Sequence, residues 1–186
     1  MSFLLRLGPT LCAALLAACT TPPLQSTAET APAFELAGRI AVRYQDRAFS
    51  SALRWKQDAG SDEIWLTAPL GQTIAYLQAD ASGATLTAAD QKQYRARSIE
   101  SLTRSALGWS FPLTGMRYWV LGEPAPGMGL TAVERGDTGR ITRFRQDDWQ
   151  ITFNYATPGK TPLRLDIAGR EAEIRFVIDS FTSAQQ

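Results

Sequence analysis

The feature that most constrains this chain is a two-residue alternation of apolar and polar side chains, repeated in short runs from Phe34 onward. Period two is the signature of a β-strand with one face buried and one face wet. In the first run, 34–44, Phe34, Leu36, Ile40, Val42 and Tyr44 fall on one face. Glu35, Arg39 and Arg43 fall on the other, and Gly38 marks a bulge or bend. Phe49, Ser51, Leu53 and Trp55 then alternate against Ser50, Arg54 and Lys56. Further strands are expected at 63–67, 73–77, 84–88, 93–96, 130–134 and 141–146. Late in the chain Trp149, Ile151, Phe153 and Tyr155 alternate with Gln150, Thr152 and Asn154. Leu163, Leu165 and Ile167 alternate next, then Ile174, Phe176 and Ile178. Turn residues separate the runs at spacings of about ten, which predicts ten or eleven strands joined by hairpins into an antiparallel meander.

The period changes once. Ile99, Leu102 and Ala106 stand at helical spacing, with Ser98 as N-cap and Gly108 as the stop. After the apolar link 109–113, Thr114 is expected to cap a second short helix carrying Met116, Trp119 and Val120, closed by Gly122 and Pro124. A sheet of this many strands must curl, and its apolar face must be filled or covered. The insert at 98–122 is the available cover. The expected fold is mainly β with short helices: a curved antiparallel sheet forming an unclosed β-barrel under a helical lid. Its interior is either solid core or a ligand cavity, and the residues leave both open.

One turn is chemically odd. Between the strands at 63–67 and 73–77 lies Ala68-Pro69-Leu70-Gly71. Pro69 cannot donate to a sheet ladder and Gly71 permits a positive φ, so the chain turns here. The tip carries a leucine where small polar residues are usual. Leu70 either tucks under a neighbouring loop or is an apolar probe that touches something greasy.

The first residues read as a targeting segment. Arg6 precedes a mostly apolar stretch from Leu7 to Ala18, too short to span a bilayer. It ends Leu16-Ala17-Ala18-Cys19, which resembles the bacterial lipobox, where the signal is cut before the cysteine and the thiol is lipidated. Residues 1–18 are thus expected to be a lipoprotein signal peptide and Cys19 the lipidation site. Thr20 in place of Asp favours the outer membrane. Residues 19–33, rich in Pro, Thr and Ala, are expected to be a flexible tether reaching roughly 20 Å, with the folded domain at 34–186.

Both cysteines, Cys12 and Cys19, lie in this leader, and the chain has no histidine. That removes internal disulfides from the domain, His-dependent catalytic arrangements, and His or Cys metal sites. No metal and no cofactor is expected. The 19 basic and 18 acidic residues nearly cancel and no basic run interleaves with aromatics, so no nucleic-acid partner is expected. Gly127-Met128-Gly129 lacks the strand, helix and Lys-Ser/Thr pair of a phosphate loop. Asp147-Asp148 reads as a solvated turn, and Arg39 and Arg43 as surface residues.

A set of ordered motifs resembles the LolB family of outer-membrane lipoprotein receptors across essentially the whole mature chain. These are Phe34-x-x-x-Gly38-Arg39-Ile40-Ala41-Val42, Trp55, Pro69-Leu70-Gly71, Leu107-Gly108-Trp109-x-Phe111-Pro112-Leu113, Trp119-Val120-Leu121-Gly122-x-Pro124 and Trp149-Gln150-Ile151. The resemblance implies an unclosed barrel with a hydrophobic cavity. It implies a receptor that accepts acylated lipoprotein cargo from the periplasmic carrier LolA and inserts it into outer-membrane phospholipid. Such a protein is non-enzymatic, monomeric and lipid-anchored on the periplasmic face. By the same resemblance Pro69, Leu70 and Gly71 form the membrane-insertion hook. The cavity candidates are Leu36, Ile40, Val42, Leu53, Trp55, Ile64, Leu66, Leu102, Trp109, Trp119, Trp149, Ile151 and Phe153. Two departures stand out: Ala68 replaces a small polar residue before the proline, and the Asp147-Asp148 turn lacks a glycine before Trp149.

Two other classes compete with this reading. One is an outer-membrane structural or interaction lipoprotein whose β-domain has a solid core. The other is a carboxylate-pair hydrolase, for which the sequence carries no motif. No residue is assigned a catalytic role.

Overall fold

A computed structural model describes residues 31–58, 60–156 and 159–183. The expected signal peptide, Cys19 and the tether up to residue 30 lie outside the described residues. Eleven strands and two helices follow in the order β1 (Phe34–Tyr44), β2 (Arg47–Asp58), β3 (Ser61–Thr67), β4 (Thr73–Asp80), β5 (Gly83–Ala88), β6 (Gln93–Ala96), α1 (Ile99–Leu107), α2 (Leu113–Trp119), β7 (Leu130–Arg135), β8 (Ile141–Gln146), β9 (Trp149–Tyr155), β10 (Pro162–Ala168) and β11 (Ala172–Ser183).

The strands form one antiparallel sheet in the order β6-β5-β4-β3-β2-β1-β11-β10-β9-β8-β7. Two meanders run outward from the centre and are joined there by β1 and β11, which pair over the full length of β1. The edges, β6 and β7, are not paired with each other, so the barrel is unclosed. The helical segment is the connection from one edge to the other and must cross a face of the sheet. Its apolar side settles which face. Ile99, Leu102, Leu113, Met116 and Trp119 are buried together with the inward residues of both meanders.

Backbone chemistry at Gly38 sets the curvature of the central pair. Opposite it β11 carries one extra residue, with Ala37 facing Ser180 and Gly38 facing Ile178. A Cβ at Gly38 would stand 2.1 Å from the Val177 carbonyl oxygen, so only glycine lets the strands approach at this bulge. The expected bend is there, with the inserted residue on the partner strand.

Two local expectations are corrected. In β10 Leu163 does not continue the alternation. A register shift between Pro162 and Arg164 leaves Pro162 buried and Leu163 half exposed. Thr114 does not cap α2 but lies within it, and Pro112 holds the N-cap position with no side-chain cap bond. The first-turn amide is served instead by Glu100 of α1, whose carboxylate accepts from both Thr114 N and Thr114 Oγ1 at 3.0 Å. Just ahead of β1, Ala31 is buried against Tyr118 and Ala125. By contrast α1 starts and stops where expected. Ser98 caps it, its Oγ accepting from Ser101 N at 3.2 Å, and Gly108 closes it.

The β8–β9 turn manages without its glycine because Asp147 itself takes the left-handed conformation at φ +48°, which Asp tolerates better than most residues. Its carboxylate accepts from Gly129 N at 3.0 Å, and Gln146 faces Trp149 in a two-residue hairpin.

Candidate functional site

The two halves of the interior differ. Over β8–β11 the core is solid, and α2 fills it. Met116, Trp119, Val120, Phe144, Ile151 and Leu165 are each completely buried. Polar bonds lock α2 in place at both ends of its reach. Gln146, fully buried on β8, accepts from Trp119 Nε1 at 2.7 Å and Ala125 N at 2.9 Å, and donates to Ala125 O at 2.6 Å. On the other side buried Asp62 of β3 accepts from Trp55 Nε1 at 2.9 Å and Arg117 Nε at 2.9 Å. An unpaired charge there would be costly, and the indole and guanidinium together satisfy it.

Over β1–β5 the interior is not filled. A cavity of about 450 Å³ lies between the sheet and the segment formed by α1 and the link from Trp109 to Phe111. Its wall is apolar. Arg47, at its edge, is the one charged residue among the lining residues, and no carboxylate lines it. Thr103 is the lining hydroxyl of α1, and its oxygen is engaged: it donates to Ile99 O at 2.9 Å and accepts from Phe111 N at 2.9 Å. That pair of bonds folds the link back over the cavity and presents Phe111 and Trp109 to it. The cover is fastened at its far end by Tyr44, whose hydroxyl donates to Gly108 O at 3.1 Å while its ring stacks on Trp109 at 6.4 Å.

Of the residues expected at the cavity, Ile40, Val42, Leu53, Trp55, Ile64, Leu66 and Trp109 line it. The remaining six do not. Leu36, Leu102, Trp119, Ile151 and Phe153 are buried in the solid core. Trp149 is half buried and packs over Gly169. They share strand parity or helix face with the lining residues, but none of them borders the open space. Phe49, Leu77, Leu86, Leu107, Phe111 and Phe176 also line the cavity and were not among the candidates. Two had a signal. Phe49 has the parity of Leu53 and Trp55 on β2, and Leu107 stands one helical turn after Thr103.

Leu70 does not tuck under a loop. It is 91% exposed, the most exposed of the large apolar residues described. The turn that holds it out is closed by Gly71 N donating to Ala68 O and Ala68 N donating to Gln72 O, both at 2.8 Å. Pro69 fixes φ at the second position, and Gly71 sits at φ +83°, where a side chain would be strained. Strand direction places this turn at the same end of the sheet as the β1–β2 tip and the 89–92 turn, because Ala52 faces Thr67 and Ala89 N donates to Ile74 O. Leu66, Ile74 and Ala75, which flank the turn, line the cavity, so Leu70 stands just outside its wall.

Among the described residues no group of metal-ligating side chains is found, and no helix is long and apolar enough to cross a membrane. Asp147 and Asp148 are engaged at the surface, Asp148 with Arg170 at 2.9 Å. Arg39 and Arg43 pair with Asp179 and Glu173 on the outer face.

Fold and site together define a class: an unclosed antiparallel β-barrel whose helical cover encloses an apolar chamber beside an exposed apolar turn. Comparison with known proteins gives the family. Residues 32–181 match the model of the family described as Outer membrane lipoprotein LolB. The chain is 36% identical to the outer-membrane lipoprotein LolB of Thiobacillus denitrificans, over 91% of this chain and 92% of that one. It is 34% identical to that of Nitrosomonas europaea, covering 86% and 77%. A solved domain from Vibrio parahaemolyticus, described as an outer membrane lipoprotein-sorting protein, shares the fold at TM-score 0.50 and 10% identity, covering 84% and 87%. The chain belongs to the LolB family of outer-membrane lipoproteins. Its location is the outer membrane, and its role lies in outer-membrane lipoprotein localisation.

Proposed function

We propose that the cavity under α1 receives the acyl chains of lipoproteins delivered by the carrier LolA, and that Leu70 then brings the loaded domain to phospholipid for release. The observation that carries this reading is the pairing of an apolar chamber with a 91% exposed leucine at the same end of the sheet. Acyl chains cannot cross water bare, since each buried CH₂ is worth about 0.8 kcal/mol. A second apolar chamber lets cargo change hands, and the bilayer is the final sink, so no nucleotide and no bond-making step is needed. The protein acts as a non-enzymatic monomer. Cleavage after residue 18 and lipidation of Cys19 anchor it, residues 19–33 act as the tether, and the domain from 34 onward does the handling.

The test is to capture cargo inside the chamber. A photoreactive phenylalanine analogue at Phe49, which faces the cavity, should cross-link to an acylated lipoprotein handed over by LolA. The same group at Arg54, on the outer face of the same strand, should not. Equal cross-linking from both positions would defeat the proposal.

A further inference from the structure

Leu70 is not alone at its end of the molecule. Phe49 is 43% exposed and Leu107 is 49% exposed, and both also line the cavity. Three elements bring them together. Phe49 is on β2 opposite Val42, two pairs from the β1–β2 tip. Leu107 ends α1, and the next residue, Gly108, is bonded to Tyr44 at that same tip. Leu70 belongs to the β3–β4 turn, and the β2–β3 register that sets Ala52 opposite Thr67 brings the chain at 70 level with Phe49. An exposed leucine alone means little. Three large apolar residues around the mouth of one cavity form a contiguous feature of the kind that marks an interaction surface.

We propose that Phe49 and Leu107 dock on phospholipid together with Leu70, so that the cavity mouth is pressed against the bilayer surface and acyl chains leave it without crossing water. This rests on the reading of the chamber as an acyl-chain site and adds a geometry for release. The occupant is a bilayer surface because the chain belongs at the outer membrane and the charges around the mouth nearly balance, Arg104 in the last turn of α1 adding one positive charge to two opposed pairs. Asp46 adjoins Arg47 on one turn, and Asp90 pairs with Lys92 at 2.6 Å on another. A surface built for anionic lipid would carry a cluster of basic residues. A nearly neutral apolar rim instead fits the headgroup–acyl boundary of a zwitterionic membrane, where Arg47 and Arg104 can extend their charged ends to water along their apolar stems.

The cysteine-free domain makes the test direct. In the mature chain carrying Cys19→Ala no thiol remains, so Phe49→Cys, Leu70→Cys, Leu107→Cys and Leu163→Cys can each carry one fluorophore. Leu163 is the control: it is 49% exposed but starts β10, beside Tyr155 and away from this end. Vesicles of zwitterionic phosphatidylcholine containing nitroxide-bearing lipid quench only labels that touch lipid. Labels at 49, 70 and 107 should lose more than half of their emission, the label at 163 should lose none, and high salt should change neither result. Quenching at 70 alone would overturn the rim and leave a single-point hook. Quenching that requires anionic lipid, or that is equal at 163, would also overturn it. Acyl transfer to vesicles is measured in parallel with unlabelled protein. Transfer without quenching at 49 and 107 refutes the rim and spares the acyl-site reading, whereas full quenching with no transfer does the reverse.

Discussion

Leu70→Glu isolates the step at which cargo leaves. The residue is 91% exposed, so the substitution should move folding stability by no more than about 0.5 kcal/mol. Cargo uptake should also be spared, because Leu70 does not line the cavity. The loss falls on the encounter with the membrane. Burying a leucine in the bilayer contributes roughly 1.5–3 kcal/mol, which is about one to two decades in an equilibrium constant. Glutamate removes that gain and adds a carboxylate that resists entering lipid. The variant should therefore take lipoprotein from LolA at the normal rate and pass it to liposomes ten- to a hundredfold more slowly, accumulating as a loaded intermediate. Leu70→Ile and Leu70→Phe should keep most of the transfer, since only apolar bulk is required. The assay scores uptake and liposome transfer separately on the same preparation. Normal transfer by Leu70→Glu, or equal loss of both steps, would refute the reasoning.

Other outcomes follow from the packing. Gly38→Ala should lower thermal stability by several degrees, because its Cβ meets the Val177 carbonyl at 2.1 Å and the β1–β11 pair must part; unchanged melting would contradict the close approach. Asp62→Ala strands the Trp55 indole N–H and Arg117, so urea unfolding should show a loss at the lower end of roughly 3–5 kcal/mol, since the Arg117 side chain is still 24% exposed. Tyr44→Phe removes the bond to Gly108 O and should speed amide exchange in α1 without affecting α2, which Gln146 and Asp62 hold independently. On the outer face burial alone would raise the Asp166 pKa, but hydrogen bonds from Arg164 and Arg175 outweigh it and hold the carboxyl below its ordinary 3.8. A depressed folded-state value stabilises above the unfolded pKa and is lost as pH falls past it. Asp166→Asn should therefore shrink the gap in stability between pH 7 and pH 3; an unchanged gap would count against the ion pairs.

Strand positions were legible because one face of each strand is wet, which makes parity visible. The exposed leucine turn was legible because Pro69 and Gly71 fix a turn and Leu70 is the wrong residue to bury there. The division of the interior was not. Parity assigns Ile151 and Ile40 to the same inner face but says nothing of what stands opposite, and only the tertiary packing decides that Ile151 is closed in by core while Ile40 borders open space. The cap of α2 was missed for a related reason. Thr114 sits where a local cap would, while its actual partner, Glu100, is fourteen residues away and comes into reach only when the helices pack. Leu163 failed as part of an alternating run because a bulge erases parity without any marker beyond Pro162.

The central claim is that the chamber under α1 is an acyl-chain site, and the most direct measurement is titration with an environment-sensitive fluorescent fatty acid. The mature chain with Cys19→Ala should bind it saturably near one-to-one and release it to an acylated peptide but not to the bare peptide. Ala75→Trp, which places a large ring in the cavity from its wall, should abolish binding while leaving the β-sheet circular dichroism unchanged. Absence of saturable binding at micromolar protein, or binding undiminished by Ala75→Trp in a folded variant, would contradict the account.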